Sequence, residues 1–251
     1  MSRTIGIIGG SGPLASMDIE KKVFDIVKHK FSRPEDKNYP QLLIYQHTNF
    51  STDILERENQ YRLCAKILEN AGVSNILIAC HSAHIYLKQI KSEIKTEVTD
   101  IVQLTSDYLR NMYPSINKVG LLSTHTTLDS KLYHNALSQY NIEVIGPEEK
   151  SLMNLLEGIY LIKAGILYDK IVQKEILPTN YTLLFSAAME DLIYKGCKYI
   201  ILGCTELPLI FFSLQTLYPK ITLIDPNMLI AKFIVDQFYQ ANEHQNLNEM
   251  S

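Results

Sequence analysis

Short apolar runs alternate along this chain with longer stretches in which apolar residues recur every three or four positions. The short runs are rich in β-branched residues and predict strands, whereas the longer spacing predicts amphipathic helices. This alternation is typical of βαβ units, which form a mainly parallel sheet flanked by helices. The predicted strands are residues 4–8, 41–45, 75–79, 118–122, 143–145, 199–202 and 222–224.

Three of the helical stretches can be bounded from the sequence. They are residues 16–31, 52–71 and 179–195. Thr179 or Asn180 is the expected N-cap of the last helix, because a hydroxyl or amide side chain can accept a hydrogen bond from a free amide of the first turn.

An internal similarity predicts two related domains. The sequence TIGIIG at residues 4–9 is similar to KVGLLS at residues 118–123, and each run opens a stretch that ends in a strand followed by a cysteine. We therefore predict an α/β fold of two similar domains, each a mainly parallel sheet flanked by helices. The last strand is expected to return to the first domain, so that residues 1–100 plus 208–251 form the first domain and residues 101–207 the second. The active site would then lie in the cleft between them.

Composition and charge narrow the class of protein. The 251 residues, 46 % of them apolar, can bury a substantial core, which argues against disorder. The net charge of −3 comes from dispersed charged residues, so nucleic acid is not an expected partner. Charges or prolines interrupt every apolar run, and the first residues lack a signal-peptide pattern, so no membrane association is expected. Four cysteines without a disulfide-framework spacing fit a reducing compartment, and we expect a cytoplasmic location.

Two of the cysteines carry the strongest chemical signal. Cys80 and Cys204 each follow a strand-like apolar run and precede a hydroxyl residue, Ser82 and Thr205 respectively. A thiol at the carboxyl end of a parallel strand faces the region where open α/β sheets bind ligands, and a helix beginning there would lower its pKa. Each cysteine taken singly fits a packing role, because free cysteine usually behaves as a small buried hydrophobe. Their equivalent positions in the two halves favour an acid/base pair, whereas Cys64 and Cys197 are predicted to be packing residues.

The turn after the first strand is rich in glycine. Residues 9–13, GGSGP, lack both the dinucleotide-binding spacing and the Gly-Lys-Ser/Thr ending of a phosphate loop, so nucleotide binding is not expected. Free amides at the start of the following helix can instead hold a carboxylate. A similar carboxylate cradle could form around Ser82 and Thr205.

Four segments together resemble the aspartate/glutamate racemase family, in its aspartate racemase branch. They are residues 9–13 (GGSGP), 79–84 (ACHSAH), 158–165 (GIYLIKAG) and 203–208 (GCTELP), in the family's order. The resemblance covers nearly the whole chain. It implies an isomerase that needs no cofactor, works in a cleft between two α/β domains and forms a homodimer.

The resemblance also implies a mechanism and a set of substrate ligands. One cysteine, as thiolate, would remove the Cα proton of an amino acid, while the other, as thiol, would protonate the opposite face. A thiolate can do this only if the carbanion-like state is strongly stabilised. The lysine of the family motif is Lys163, a catalytic or carboxylate-binding candidate that would otherwise be interpreted as a solvated helix lysine. The α-carboxylate is expected among Ser11, Ser82, Thr124, Thr127 and Thr205.

The chain departs from the family pattern at residues 47–54, HTNFSTDI, where Asn49 is a further substrate-binding candidate. Asp53 stands where the family has an arginine for the substrate's side-chain carboxylate. If Asp53 faces the site, it would favour a cationic or neutral side chain; alternatively, it is a solvent-directed acid at a helix start. Arg57, one helical turn later, could compensate for it. His81 replaces the usual asparagine and could tune the thiolate as a cation or form a hydrogen bond.

Glu206 and His84 lie close in sequence to the two cysteines. Neither completes the usual set of zinc ligands, so no metal site is predicted. Glu206 could orient a substrate ammonium group or cap a helix.

The sequence therefore predicts a pyridoxal-phosphate-independent amino-acid racemase whose partner is a small-molecule amino acid. Aspartate is the family default, and Asp53 leaves open a basic or neutral substrate. A hydantoin racemase or a maleate-type isomerase is a related alternative, in which a cysteine can attack carbon covalently. A non-catalytic two-lobed binding protein is the alternative from a different class, and the retained thiols argue against it.

Overall fold

The computed structural model describes residues 4–249, with side chains as far as residue 240. Residues 4–79, 86–101 and 227–249 form one compact unit, and residues 80–85 and 102–226 form the other. Three short 3₁₀ helices lie at Asp36–Asn38, Ser82–Tyr86 and Leu207–Ile210. In chain order the strands and α-helices are β1 (Ile5–Gly9), α1 (Pro13–Lys30), β2 (Leu42–Gln46), α2 (Ile54–Asn70), β3 (Asn75–Ile78), α3 (Leu87–Glu93), β4 (Glu97–Thr99), α4 (Ile101–Met112), β5 (Lys118–Leu122), α5 (His125–Asp129), α6 (Leu132–Ser138), β6 (Glu143–Ile145), α7 (Glu149–Lys163), α8 (Tyr168–Val172), α9 (Thr179–Tyr194), β7 (Tyr199–Leu202), α10 (Phe211–Leu217), β8 (Thr222–Ile224) and α11 (Pro226–Glu249).

The first unit contains a four-stranded parallel sheet in the order β2-β1-β3-β4. Its central strands β1 and β3 are buried at every position. Strands that are buried on both faces consist mainly of apolar residues, as the sequence of these two strands does. Ile7 of β1 pairs in register with Leu77 of β3, and both side chains are almost fully buried. The core of this unit therefore lies on the two central strands and the helices that cover them.

The second unit repeats the same topology with the order β6-β5-β7-β8, again all parallel. Leu121 of β5 pairs with Ile201 of β7, and neither side chain is exposed. The prediction of two parallel sheets flanked by helices is confirmed. The equivalent strand orders also account for the similarity between the runs that form β1 and β5.

Strand β8 corrects one part of the sequence analysis. We expected residues 222–224 to return to the first domain, but β8 pairs with β7 and completes the second sheet. The chain returns to the first unit at Asn227, one strand later than expected. Hydrophobic pattern alone identifies a strand without naming its partner, because the pairing is non-local. Strand β4 was not predicted, since it is only three residues long and contains one buried side chain, Val98.

Helix ends differ from prediction by a few residues. Helix α9 begins at Thr179, so its N-cap is Pro178 instead of Thr179 or Asn180, and no side chain caps it. Helix α1 begins at Pro13, where the missing amide of proline costs nothing. Within residues 4–249, no helix is long and apolar enough to cross a bilayer.

The turn between β1 and α1 depends on Gly10. Its φ is +99°, a conformation that disfavours residues with a side chain. A Cβ at this position would also lie 2.2 Å from the backbone oxygen of His47. Only glycine allows the two backbone segments to approach this closely, and this approach sets the position of Ser11.

Candidate active site

Cys204 follows strand β7 after a single glycine. Its side chain is 6 % exposed. Gly203 allows the chain to pass close to β5, because a Cβ there would lie 2.4 Å from Cδ1 of Leu121. No α-helix begins at the thiol, since a turn and the 3₁₀ helix Leu207–Ile210 come next.

Glu206 receives a hydrogen bond from Cys204. The sulfur donates to Oε2 of Glu206 across 2.9 Å, and the hydroxyl of Thr205 donates to the same oxygen across 3.4 Å. Glu206 is only 1 % exposed. Its other oxygen, Oε1, is buried and has no hydrogen-bond partner among the residues described. A buried carboxylate oxygen without a hydrogen-bond partner can form an ion pair with a nearby cation.

Lys163 supplies the nearest cation. It is the last residue of α7, and its Nζ lies 3.6 Å from Oε1 of Glu206. The lysine side chain is 36 % exposed, so one ion of the pair contacts solvent while the other does not. Helix α7 packs closely on α9 at Gly158, where a Cβ would lie 2.5 Å from the ring of Phe185. The predicted motif lysine and Glu206 are thus brought together across a long separation in sequence.

Burial and charge determine the proton affinities in this cluster. Burial, followed by the charge of Glu206, raises the pKa of Cys204 well above its ordinary value, and Lys163 offsets only part of that rise. Burial alone would lower the pKa of Lys163, but Glu206, Cys204 and Cys80 together outweigh it and raise that pKa. The expectation of a lowered pKa at Cys204 is therefore wrong. The reason is that the thiol is buried beside a carboxylate and not at the start of an α-helix.

Cys80 follows β3 after a single residue, Ala79, and belongs to the same unit as Cys204. Its sulfur is 3.3 Å from the hydroxyl of Ser82, and its carbonyl oxygen is 2.9 Å from Nδ1 of His84. The sulfur is half-buried and contributes, with Cys204, to the raised pKa of Lys163. Lys163 is therefore within electrostatic reach of both cysteines.

His81 forms a hydrogen bond and is not a cation. Its side chain is buried, and Nδ1 lies 2.9 Å from the hydroxyl of Tyr133. Burial, with a smaller contribution from His84, lowers the pKa of His81 to about 3. The imidazole is neutral at physiological pH, so the hypothesis of a cation beside the thiolate is wrong and the hydrogen-bonding alternative is confirmed.

Thr124 and Thr127 meet at the start of α5. Their hydroxyl oxygens are 3.4 Å apart, and Thr127 is buried. Thr124 is the N-cap residue of this short helix. Both lie in the unit that contains the two cysteines, and their proposed contact with the substrate carboxylate remains a prediction.

The other three predicted ligands lie in the first unit. The hydroxyl of Ser11 is 2.5 Å from that of Tyr61, and Asn49 is exposed. Asp53 is the exposed N-cap of α2, where its Oδ1 accepts a hydrogen bond from the amide of Glu56 across 2.9 Å. This geometry favours the helix-start interpretation of Asp53. Nε of Arg57 donates to the carbonyl oxygen of Ser51 across 2.5 Å.

Two buried tyrosines near the candidate residues were missed. Tyr133 bonds to His81 from α6, and Tyr61 bonds to Ser11 from α2. Nothing in the local sequence marks either tyrosine, since each partner is about fifty residues away. Cys64 and Cys197 are buried, as their predicted packing role requires. Burial raises the pKa of Cys64 to about 11.

Known proteins that are similar in sequence to this chain include two racemases. "Broad specificity amino-acid racemase RacX" of Bacillus subtilis is 24 % identical over 246 residues, which span 94 % of this chain and 100 % of that protein. A glutamate racemase of Carboxydothermus hydrogenoformans is 27 % identical over 178 residues, 71 % of this chain and 60 % of that protein.

Solved structures share the fold. An aspartate racemase homologue from Pyrococcus horikoshii OT3 superposes with a TM-score of 0.72 at 24 % identity, covering 94 % of this chain and 99 % of that chain. A glutamate racemase from Francisella tularensis, in complex with D-glutamate, superposes with a TM-score of 0.69 at 20 % identity, covering 96 % and 82 %. The family model described as Asp/Glu/Hydantoin racemase matches residues 8–234. This chain therefore belongs to the Asp/Glu/Hydantoin racemase family.

Proposed function

We propose that this protein is an amino-acid racemase that exchanges the Cα proton through Cys80 and Cys204 without a cofactor. The observation that carries the proposal is Lys163, whose ammonium group pairs with Glu206 and is within electrostatic reach of both sulfurs. Membership of the family and the relationship to a broad-specificity racemase support the reaction class. Two thiols that follow equivalent strands of equivalent sheets support a two-base mechanism.

The protonation states support different roles for the two cysteines. A buried thiol with a raised pKa, such as Cys204, holds its proton at neutral pH and can act as an acid. The reaction also needs cations and hydrogen-bond donors near the carboxylate, because negative charge develops on the substrate when the Cα proton leaves. Lys163 is the charged candidate for this task. The hydroxyl candidates are Ser11, Ser82, Thr124, Thr127 and Thr205, with Asn49 as a further ligand.

Oε1 of Glu206, which is paired with Lys163 at 3.6 Å, supports a second substrate contact. Oε2 already accepts from Cys204 and Thr205, whereas Oε1 is buried without a hydrogen-bond partner among the described side chains. An α-ammonium group is the part of an amino acid that such an oxygen can bind. We therefore retain Glu206 as a candidate for orienting the ammonium group of the substrate.

We expect a substrate range that is not limited to aspartate. The position at which the resemblance places a guanidinium for the side-chain carboxylate is Asp53, and its own carboxylate caps α2. A site without that guanidinium loses the attraction that would favour an acidic side chain. We expect neutral or basic amino acids to be racemised at least as fast as aspartate, with Arg57 as the residue that could restore an acidic preference.

The proposal includes a cytoplasmic homodimer. All four cysteines are free thiols, which fits a reducing compartment. The dimer rests on the family resemblance alone. Analytical ultracentrifugation of the purified protein tests it, and a single sedimenting species with the mass of one chain would remove the dimer from the proposal.

Solvent exchange tests the reaction directly. Purified protein, treated with hydroxylamine to remove any pyridoxal phosphate, is incubated in heavy water with single L- or D-amino acids, including aspartate, lysine and alanine. We expect deuterium at Cα and loss of optical purity. Cys80→Ala and Cys204→Ala should abolish racemisation, while Cys197→Ala serves as the matched control. Racemisation that survives in both site variants, or exchange with hydantoins but with no amino acid, would refute the proposal.

A further inference from the structure

Cys204 and Lys163 each contact a different carboxylate oxygen of Glu206 in the second unit. The sulfur donates to one oxygen of Glu206 at 2.9 Å, and the other oxygen faces Nζ of Lys163 at 3.6 Å. The carboxylate is buried between a neutral donor and a cation. Because the dielectric around buried groups is low, the carboxylate acts strongly on the nearby sulfur.

The hydrogen bond exists only while Cys204 keeps its proton. A thiolate at the same position would face the carboxylate across the same short distance with no proton between them, which is repulsive. Lys163 reduces this repulsion, but its side chain is partly solvated. These three groups therefore bias the proton toward the sulfur.

We propose that Glu206 is a positioning residue that keeps the proton on Cys204, so that Cys204 is the acid of the proposed cysteine pair. The division into acid and base rests on the proposed racemase function, whereas the control of the Cys204 proton does not. In addition to contacting the ammonium group of the substrate, Glu206 would control the proton of Cys204 in every catalytic cycle.

The proton balance of one turnover follows from this assignment. The Cα–H bond breaks as an S–H bond forms at Cys80, and the S–H bond of Cys204 breaks as a C–H bond forms on the opposite face. No electron is transferred, and the protein ends with one thiol and one thiolate, as it began. The thiolate is now at Cys204 beside Glu206, and their repulsion favours uptake of a proton from solvent by that sulfur. The starting state is restored when Cys80 releases its proton to solvent.

Alkylation without substrate tests control of the proton. Thiolates react with iodoacetamide and thiols do not, so the rate at each cysteine, measured by mass spectrometry across a pH series, reports its thiolate fraction. We expect Glu206→Gln to lower the pKa of Cys204 and to speed its alkylation near neutral pH about tenfold. Glu157→Gln is the matched control, because it removes the same charge from the exposed face of α7 and should change nothing.

Lys163→Met is a second variant, for which we expect the opposite effect on the pKa and alkylation rate of Cys204. Removing the cation should raise the pKa of Cys204 further and slow its alkylation. Slow reaction at the buried Cys64 and Cys197 verifies that each variant is folded. Unchanged alkylation of Cys204 in Glu206→Gln, or a shift of the same sign in both variants, would overturn the inference.

The pH profile of racemisation tests the acid role. The alkaline limb reports loss of the catalytic acid. It should move to lower pH in Glu206→Gln, an effect that a merely structural role of Glu206 would not produce. An unmoved alkaline limb in an active variant would overturn the assignment of Cys204 as the acid. If no variant or wild-type protein racemises any amino acid but the alkylation shifts are found, the proposed function fails while control of the Cys204 proton stands.

Discussion

The hydroxyl of Tyr133 and Nδ1 of His81 lie 2.9 Å apart, a buried hydrogen bond between α6 and the residue that follows Cys80. The other ring nitrogen of His81, Nε2, is buried without a hydrogen-bond partner in the described part of the chain. Adding a proton to this imidazole would place a charge in an apolar environment. The residue next to Cys80 is thus held neutral, and this has a consequence for stability.

We expect His81 to make the protein less stable in acid. The pKa of His81 falls from 6.5 to about 3 on burial, so the unfolded chain binds a proton between these values and the native protein does not. The free energy of unfolding therefore falls as pH drops below 6.5, by about 1.4 kcal/mol per pH unit from this group. This contribution is fully present above pH 6.5 and is lost progressively below it.

Urea unfolding at a series of pH values checks this expectation. His81→Asn lacks the titrating group. When the pH is lowered from about 7 to about 5, its free energy of unfolding should fall by about 2 kcal/mol less than that of wild type. His29→Asn removes an exposed histidine and is the control that should follow wild type. Parallel curves for wild type and His81→Asn would show that His81 does not titrate as its burial requires.

The sequence predicted what depends on neighbouring residues. Strands β5 and β7 have the predicted bounds, because buried parallel strands are short apolar runs with polar ends. The sheet that receives β8 could not be predicted, since its partner β7 is chosen by packing across the unit. Whether a segment forms a strand or a helix follows from its local sequence pattern, whereas the pairing of strands depends on the folded chain.

The candidate site could likewise be predicted only in part from the sequence. The sequence identified Cys204 and Glu206 as candidates two residues apart, but it did not predict the hydrogen bond between them. Lys163 was identified only through the family resemblance, because no local rule brings the end of α7 to Glu206. The neutrality of His81 could not be predicted either. It depends on burial in the folded chain and, to a smaller extent, on His84.

Substitutions of Asp53 can separate its role as the N-cap of α2 from the effect of its negative charge on the substrate. Its Oδ1 accepts the amide hydrogen of Glu56 at the first turn of α2. Asp53→Ala should lower the free energy of unfolding by about 1 kcal/mol, because it removes the cap. Asp53→Asn keeps a capping oxygen and should stay within about 0.5 kcal/mol of wild type.

Activity of the two Asp53 variants then tests substrate repulsion. If Asp53 only caps the helix, Asp53→Asn should racemise aspartate at the wild-type rate. A selective rise in kcat/KM for aspartate in Asp53→Asn, with lysine unaffected or slowed, would show instead that this carboxylate faces the bound side chain. Thermal unfolding of the same samples separates this effect from stability.

Gly10 and Gly72 provide a matched pair for backbone strain. Both have positive φ, +99° and +77°, so alanine is unfavourable at either position. A Cβ at Gly72 meets nothing within 4 Å, whereas one at Gly10 meets the backbone of His47. We expect Gly72→Ala to cost about 1 kcal/mol from strain alone. Gly10→Ala should cost about 3 kcal/mol or more, because a backbone clash is not relieved by rotating a side chain. Chemical denaturation measures both, and equal losses would contradict the close approach at Gly10.

The bond between Ser11 and Tyr61 links a predicted substrate ligand to the core. Their oxygens are 2.5 Å apart, and the ring of Tyr61 stacks on Phe50 with a centroid distance of 4.1 Å. Tyr61→Phe keeps the ring and removes the hydroxyl, so it should cost about 1 kcal/mol of stability. A double-mutant cycle with Ser11→Ala should give a coupling energy of at least about 0.5 kcal/mol.

The same cycle tests whether Ser11 binds the substrate. A ligand of the carboxylate that is fixed by Tyr61 should lose affinity when the fixing bond is removed, so Tyr61→Phe should raise KM with little change in kcat. Ser11→Ala should raise KM further, and adding Tyr61→Phe to it should then have no additional effect on KM. Additive effects on KM would mean that Tyr61 acts on the substrate independently of Ser11, and an unchanged KM in Ser11→Ala would remove Ser11 from the set of ligands.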